Sequence, residues 1–159
     1  MTTRTIAGTI TALGPHYARN DGDIFTYLEI TEPDGRRISI EKVAVGSETR
    51  SLICVEAAGE FFLDRTFFVT GALRYHLWGV KAAGLAAFDR KNLRSVAGSL
   101  HLFLGILTLP LMGLGIPLVA LGVYQWLSIP WSKQARKQVF YGDDAEAASV
   151  IRRQEAVRI

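Results

Sequence analysis

Apolar and polar positions alternate in short runs within the first 45 residues, and by residue 96 the chain has become uniformly apolar. Thr5 to Leu13 sets Ile6, Gly8, Ile10 and Ala12 against polar or small neighbours, the two-residue period of a half-buried strand. Gly14 to Asp23 holds Gly, Pro, Asn and Asp and reads as a loop. Ile24 to Thr31 is a second strand rich in β-branched and aromatic residues, and Arg36 to Val45 returns as a third, with Ile38, Ile40 and Val43 inward. Between them Glu32-Pro33-Asp34-Gly35 is a turn: Pro presets φ, and Gly accepts the left-handed position.

From Ser47 the period changes. Leu52, Val55 and Ala58 recur at threefold spacing behind Ser47 as N-cap, and Gly59 follows as a stop, so a helix is expected over Ser47 to Ala58. Phe61 to Arg74 and Tyr75 to Phe88 supply two further strands. The order β-β-β-α-β-β is that of an OB-like five-stranded barrel with one short helix, with an SH3-like barrel as its rival. Phe25, Leu28, Ile38, Ile40, Leu52, Val69 and Leu73 are its candidate core.

The pattern then becomes uniformly apolar. Val96 to Trp131 is 36 residues without a Lys, Arg, Asp or Glu, twice the ~18 that mark a bilayer span. One straight helix of that length would extend ~54 Å against a hydrocarbon core of ~30 Å. Pro110, Gly113 and Gly115 break the run near residues 109–115, and each half then approaches the length of a short span. The flanks favour the same division. Arg90, Lys91 and Arg94 precede the run, and Lys133, Arg136 and Lys137 follow it, so basic residues stand at both ends. Such residues tend to stay cytoplasmic, and two cytoplasmic ends require an even number of crossings. Gly98 and Gly105, and again Gly115 and Gly122, are seven apart and give each half a small-residue stripe for close packing in lipid. Trp126 and Trp131 lie near the exit, as interfacial aromatics do. A single tilted span and a hairpin buried in protein are the competing readings.

Composition sharpens this picture only in part. A hydrophobic content of 49% is high for a chain of 159 residues and is explained if the central run lies in lipid. The net charge of +3 is a slight excess, not the footprint of a polyanion-binding face. Cys54 is the only cysteine, so no intrachain disulfide forms, and it is expected to pack as a small hydrophobe in the predicted helix.

The search for chemistry yields little. His16, His76 and His101 have no partners at metal-ligand spacing, and His101, about five residues into the apolar run, is expected near the interface. Asn20-Asp21-Gly22-Asp23 lacks the later acidic ligand of a calcium loop and reads as a polar turn. There is no phosphate-cradling glycine loop, nucleophile elbow or HExxH. No cofactor or metal is expected, and an enzyme is disfavoured. Tyr27, Arg37, Tyr75 and Trp78 could form a ligand face on the barrel, as stacking rings and cations do in binders of single strands. Interleaved carboxylates such as Glu29 and Glu41 weigh against nucleic acid.

The pattern GTI…YLEI…GRRISI followed by the hairpin resembles that of uncharacterised bacterial inner-membrane proteins pairing an OB-like domain with a short transmembrane hairpin. The resemblance implies no catalytic residues. The expected organisation is therefore a mainly β soluble domain over 1–89, an α-helical transmembrane hairpin over 94–131 and a polar, partly helical tail over 132–159. The expected function is a non-enzymatic interaction module in the inner membrane with both termini cytoplasmic. Its partners would be the bilayer, a protein and, through the hairpin, further copies of itself. A membrane-tethered binder of single-stranded nucleic acid and a subunit of a transport complex are the alternatives.

Overall fold

The structure, a computed structural model, describes residues 3–19, 22–65, 75–89, 93–110 and 115–142. Seven strands run in the order β1 (Thr3–Leu13), β2 (His16–Arg19), β3 (Gly22–Thr31), β4 (Arg37–Gly46), β5 (Ala58–Arg65), β6 (Tyr75–Ala82) and β7 (Leu85–Phe88). They make five barrel positions. β1 and β2 both pair with β3 across the short Gly14-Pro15 break, and β7 folds back on the end of β6. The sheet runs β1-β5-β6-β4-β3 and closes through β1–β3. All pairings are antiparallel except β4–β6, where Val43 to Val45 lie beside Tyr75 to Leu77. A closed five-stranded barrel with this crossover is the OB-like arrangement expected from the strand order.

Alternation does the folding work as anticipated in the first half. Ile6 and Ile10 of β1, Phe25, Leu28 and Ile30 of β3, and Ile38, Ile40, Val43 and Val45 of β4 point inward and are buried. Phe61 and Leu63 of β5 and Leu77 and Val80 of β6 complete that core. Leu52 is half-buried against it, and the expected core positions Val69 and Leu73 lie outside the described residues. The Glu32–Gly35 turn closes as predicted: Gly35 adopts φ 85° and its N–H donates to the Glu32 carbonyl at 2.9 Å.

Three expectations are corrected. The loop from Gly14 to Asp23 contains strand β2, which pairs His16 with Phe25 and Tyr17 with Ile24. The helix expected over Ser47 to Ala58 is a single turn, α1 (Ser47–Arg50), with Gly46 and not Ser47 at its N-cap. Beyond it the chain pairs with β1: Glu56 N–H donates to Ile10 O at 2.8 Å and Ile10 N–H to Ala57 O at 2.9 Å. Those bonds replace helical ones, and Cys54 is left exposed in the loop, not packed in a helix. Finally, the strand expected over Tyr75 to Phe88 is a hairpin, turned by Ala83 and Gly84 at φ 51° and 75°.

Three helices follow: α2 (Leu93–Thr108), α3 (Gly115–Leu127) and α4 (Ile129–Tyr141). No helix among the described residues is long and apolar enough to cross a membrane. α2 and α3 form an antiparallel hairpin, because Gly98 lies against Gly122 and Trp126 while Gly105 lies against Gly115 and Val119. A β-carbon on Gly98 would come within 2.5 Å of Trp126 Cδ1, and one on Gly105 within 2.7 Å of Val119 N. Those glycines let the two backbones approach. α4 is helical within the region expected as a polar tail, and the helical bonding hardly breaks before it. Ser128 N–H donates to Tyr124 O and Ser132 N–H to Ser128 O, each at 3.0 Å. Pro130, in the first turn of α4, has no N–H to give, which accounts for the interruption.

Candidate functional site: the barrel–helix junction

The most organised polar site lies on the outside of the barrel, where α4 covers β5 and β6. Outer faces of strands are normally solvated, but here both faces of β5 and β6 are buried. A register shift between Phe62 and Leu63 creates the difference. Phe62 pairs with Gly79 and Leu63 with Leu77, so Trp78 is the extra residue of a bulge. The bulge turns the indole outward, onto a second apolar cluster with Phe62, Phe88 and Phe140 of α4. Phe140 packs edge-on to Phe62 at 5.1 Å and to Phe88 at 5.4 Å between ring centroids. Its ring lies over Gly79, where a β-carbon would come within 2.9 Å of it. α4 is thus held to the barrel by one inserted phenyl ring and the aromatic box around it.

Beside that box sits a buried charge cluster. Asp64 on β5 is 2% exposed and accepts from two arginines. Arg94 at the start of α2 donates through one terminal nitrogen to both carboxylate oxygens, at 3.1 and 3.0 Å. Arg136 of α4 donates to Oδ2 at 3.0 Å, and its guanidinium carbon lies 5.4 Å from the Trp78 ring centroid. One carboxylate therefore ties both flanks of the helical hairpin to one strand. Burial lowers the Arg136 guanidinium from its ordinary value, and Asp64 opposes that shift by charge and hydrogen bond.

A second pair completes the cluster. His76 lies opposite Asp64 in the β5–β6 register and is fully buried. Its Nε2 is 3.0 Å from Asp89 Oδ2, so the neutral ring with its proton on Nε2 donates to that carboxylate. Asp89 is fixed by its own N–H, which donates to Trp78 O at 2.7 Å, and its carboxylate occupies the space a side chain on Gly46 would need. Burial pushes the His76 imidazole below its ordinary range; the Asp89 bond works the other way, and Arg136 adds to the lowering. His76 Nδ1 and Trp78 Nε1 are buried without a hydrogen-bond partner among the described residues.

The residues singled out from sequence fall differently. Trp78 is fully buried under α4 and cannot stack a ligand, which corrects its place in the proposed ligand face. Tyr27 lies on β3 opposite Glu41, and Arg37 opens β4 opposite Thr31. Tyr75 borders a shallow cleft of roughly 270 Å³, rimmed also by Arg4, Ser39 and Glu41 over Ile6 and Leu63. Arg94 and Arg136, expected as interfacial anchors, point into the protein at Asp64 instead. Lys133 and Lys137 are exposed, as are Trp126 and Trp131, while Arg90 and Lys91 lie outside the described residues. Gly98, Gly105, Gly115 and Gly122 share the α2–α3 contact; Pro110 sits in the turn after α2, and Gly113 is outside the described residues. His101, expected near the interface, is fully buried with Nδ1 2.5 Å from Ala97 O one turn back. His16 is exposed on β2, 3.8 Å from Asp23.

Sequence reasoning missed Asp64, Asp89 and the pairing of His76. One signal was present: FFLDR and YHLWGV are apolar at both parities, which a half-solvated strand is not. Among the described residues no group of His, Cys, Asp and Glu could hold a metal ion. No known protein family, curated protein or solved structure matches the chain.

Proposed function

We propose that the chain is a membrane-anchored interaction module whose barrel faces the cytoplasm and binds a protein partner, while the α2–α3 hairpin lies in lipid. The observation that carries the reading is the outer surface of that hairpin. From Ser95 to Ser132 there is no charged residue. Val96, Phe103, Ile106 and Leu107 on α2, and Ile116, Tyr124 and Leu127 on α3, are exposed. The glycines face inward, so the small residues are spent on helix contact and the large apolar ones on the surroundings. Water is a poor solvent for such a surface, and exposed apolar patches of this extent mark contact with a membrane or a protein.

The helices are short for crossing. Sixteen and thirteen residues span roughly 24 and 20 Å at 1.5 Å per residue, against a core of ~30 Å. The apolar surface of α3 continues through Ser128 to Trp131 on the helical bonds that join α3 to α4. With the apolar turn after Thr108, that extension supports an antiparallel pair entering and leaving on one face of a locally thinned bilayer. Basic side chains at Lys133 and Lys137 and exposed Trp126 and Trp131 near the exit fit a headgroup level there. Membrane pelleting of the full chain, resistant to a carbonate wash and lost on deletion of residues 93–132, tests this reading. An intact protein released wholly into the supernatant by the wash overturns it.

A further inference from the structure

Among the described residues, the groups bonded together beneath α4 balance in charge while His76 is neutral, and Lys81, 5.1 Å from the Phe140 ring centroid and 3.9 Å from Glu60, stands at their edge. Asp64 and Asp89 supply two negative charges, and Arg94 and Arg136 two positive ones. His76 faces Asp64 across β5, Asp89 beyond β7 and Arg136 from α4, with Arg94 on the same Asp64 carboxylate. We propose that the His76–Asp89 pair makes the seating of α4 on the barrel sensitive to protons, so that protonation of His76 weakens the hold of the barrel on α4.

The step is a single proton taken from solvent onto Nδ1. In the neutral ring Nε2–H donates to Asp89, and Nδ1 is a buried acceptor with no donor among the described residues. Protonation turns Nδ1 into a buried donor with no acceptor among the described residues, and it adds a buried cation beside Arg136; the existing bond to Asp89 offsets only part of that cost, and Asp64 is already bonded to Arg94 and Arg136. A buried donor without an acceptor and an unbalanced buried charge are each costly. The elements that could yield are unequal. His76 lies on β6, paired on both sides by β4 and β5, so the ring stays with the barrel. α4 meets the barrel through Phe140 and Tyr141 and through Arg136, and it carries one of the two competing cations. Moving α4 away removes Arg136 from the imidazolium and admits water to Nδ1. The barrel core, built from the other face of the strands, is untouched. This inference concerns the barrel and α4, and it stands whether or not the hairpin enters lipid.

The test is a distance between the two surfaces. Spin labels are placed at Ala86→Cys on β7 and Gln138→Cys on α4, both exposed positions, in the full chain with Cys54→Ser in detergent micelles. The expected result is one docked distance at about pH 7.5 whose loss, ahead of the barrel's circular dichroism, needs less urea at about pH 5.5, a change of up to about tenfold in the docking equilibrium that reverses on neutralisation. His76→Gln should lose the docked distance at the same urea concentration at both values. An unchanged midpoint in the parent, or the same acid shift in His76→Gln, overturns the proposal. Should His76→Gln fail to dock at neutral pH, the parent decides the matter. The shift must then follow the titration of the His76 ring read by NMR, and a shift at a different pH overturns the proposal too.

Discussion

Replacing Asp64 by Asn should be among the most damaging single changes available on this chain. The change keeps the shape of the side chain and removes its charge. Asp64 accepts three hydrogen bonds from Arg94 and Arg136, and the side chains of Asp64 and Arg136 are each 3% exposed. With Asn there, one acceptor oxygen remains, the new amide faces a guanidinium, and two buried cations lose the anion between them. Removing one partner of a buried ion pair costs about 3–5 kcal/mol, because the surviving charge is left unsolvated. That corresponds to a loss of stability on the order of a hundred- to several-thousand-fold. The assay is urea unfolding of the full chain in a mild detergent, followed by far-ultraviolet circular dichroism of the barrel. Adding Arg136→Leu to Asp64→Asn should recover at least ~1 kcal/mol, since it removes the stranded cation and coupled neighbours are not additive. A loss below ~1 kcal/mol for Asp64→Asn would equal that of an exposed pair. It would mean that the carboxylate does not bind the hairpin flanks to the barrel.

Further outcomes follow from the same contacts. Phe140→Ala empties the aromatic box and should lower stability by about 3–5 kcal/mol. It should also expose Trp78 to an aqueous fluorescence quencher in a chain carrying Trp126→Phe and Trp131→Phe. Gly105→Val drives a side chain into Val119 and should cost about 1–3 kcal/mol of hairpin stability, read as a lower melting temperature in detergent. For pH, the buried His76 has its folded-state value lowered from 6.5, so below about that pH the unfolded chain binds a proton that the folded one refuses. Stability should therefore be greatest above that value and fall as pH drops through it, at most ~1.4 kcal/mol per pH unit, until the folded ring protonates. His76→Gln should flatten that slope in the same urea assay.

What the sequence makes legible is the inner half of the barrel. Alternation in β1, β3 and β4 marks Ile6, Ile10, Phe25, Leu28, Ile38 and Ile40 directly, because a strand with one wet face must alternate. The glycine stripes of the hairpin are legible for a similar reason: seven-residue spacing returns to one face of a helix. The failures have physical causes as well. The threefold spacing of Leu52, Val55 and Ala58 suggests a helix, yet residues 56 and 57 exchange backbone bonds with Ile10, and that long-range pairing overrides local period. The Ala83-Gly84 turn hides in a small apolar stretch without Asn, Asp or Pro. The junction is hardest to see. Asp64 and Arg136 are 72 residues apart, and each alone reads as an ordinary surface charge. Only the placement of α4 over the outer face of β5 and β6 turns them into a buried pair.

The central claim is that the uncharged middle of the chain sits in lipid with the barrel and α4 on one side. Vesicles of known orientation and a membrane-impermeant maleimide test it directly. Cys54, exposed on the barrel, reports one position, and Gln138→Cys with Cys54→Ser reports α4. Both should react from the cytoplasmic face alone, in protein that stays with the vesicles. Reaction of the two from opposite faces, or protein left in solution when the vesicles are spun down, would contradict it.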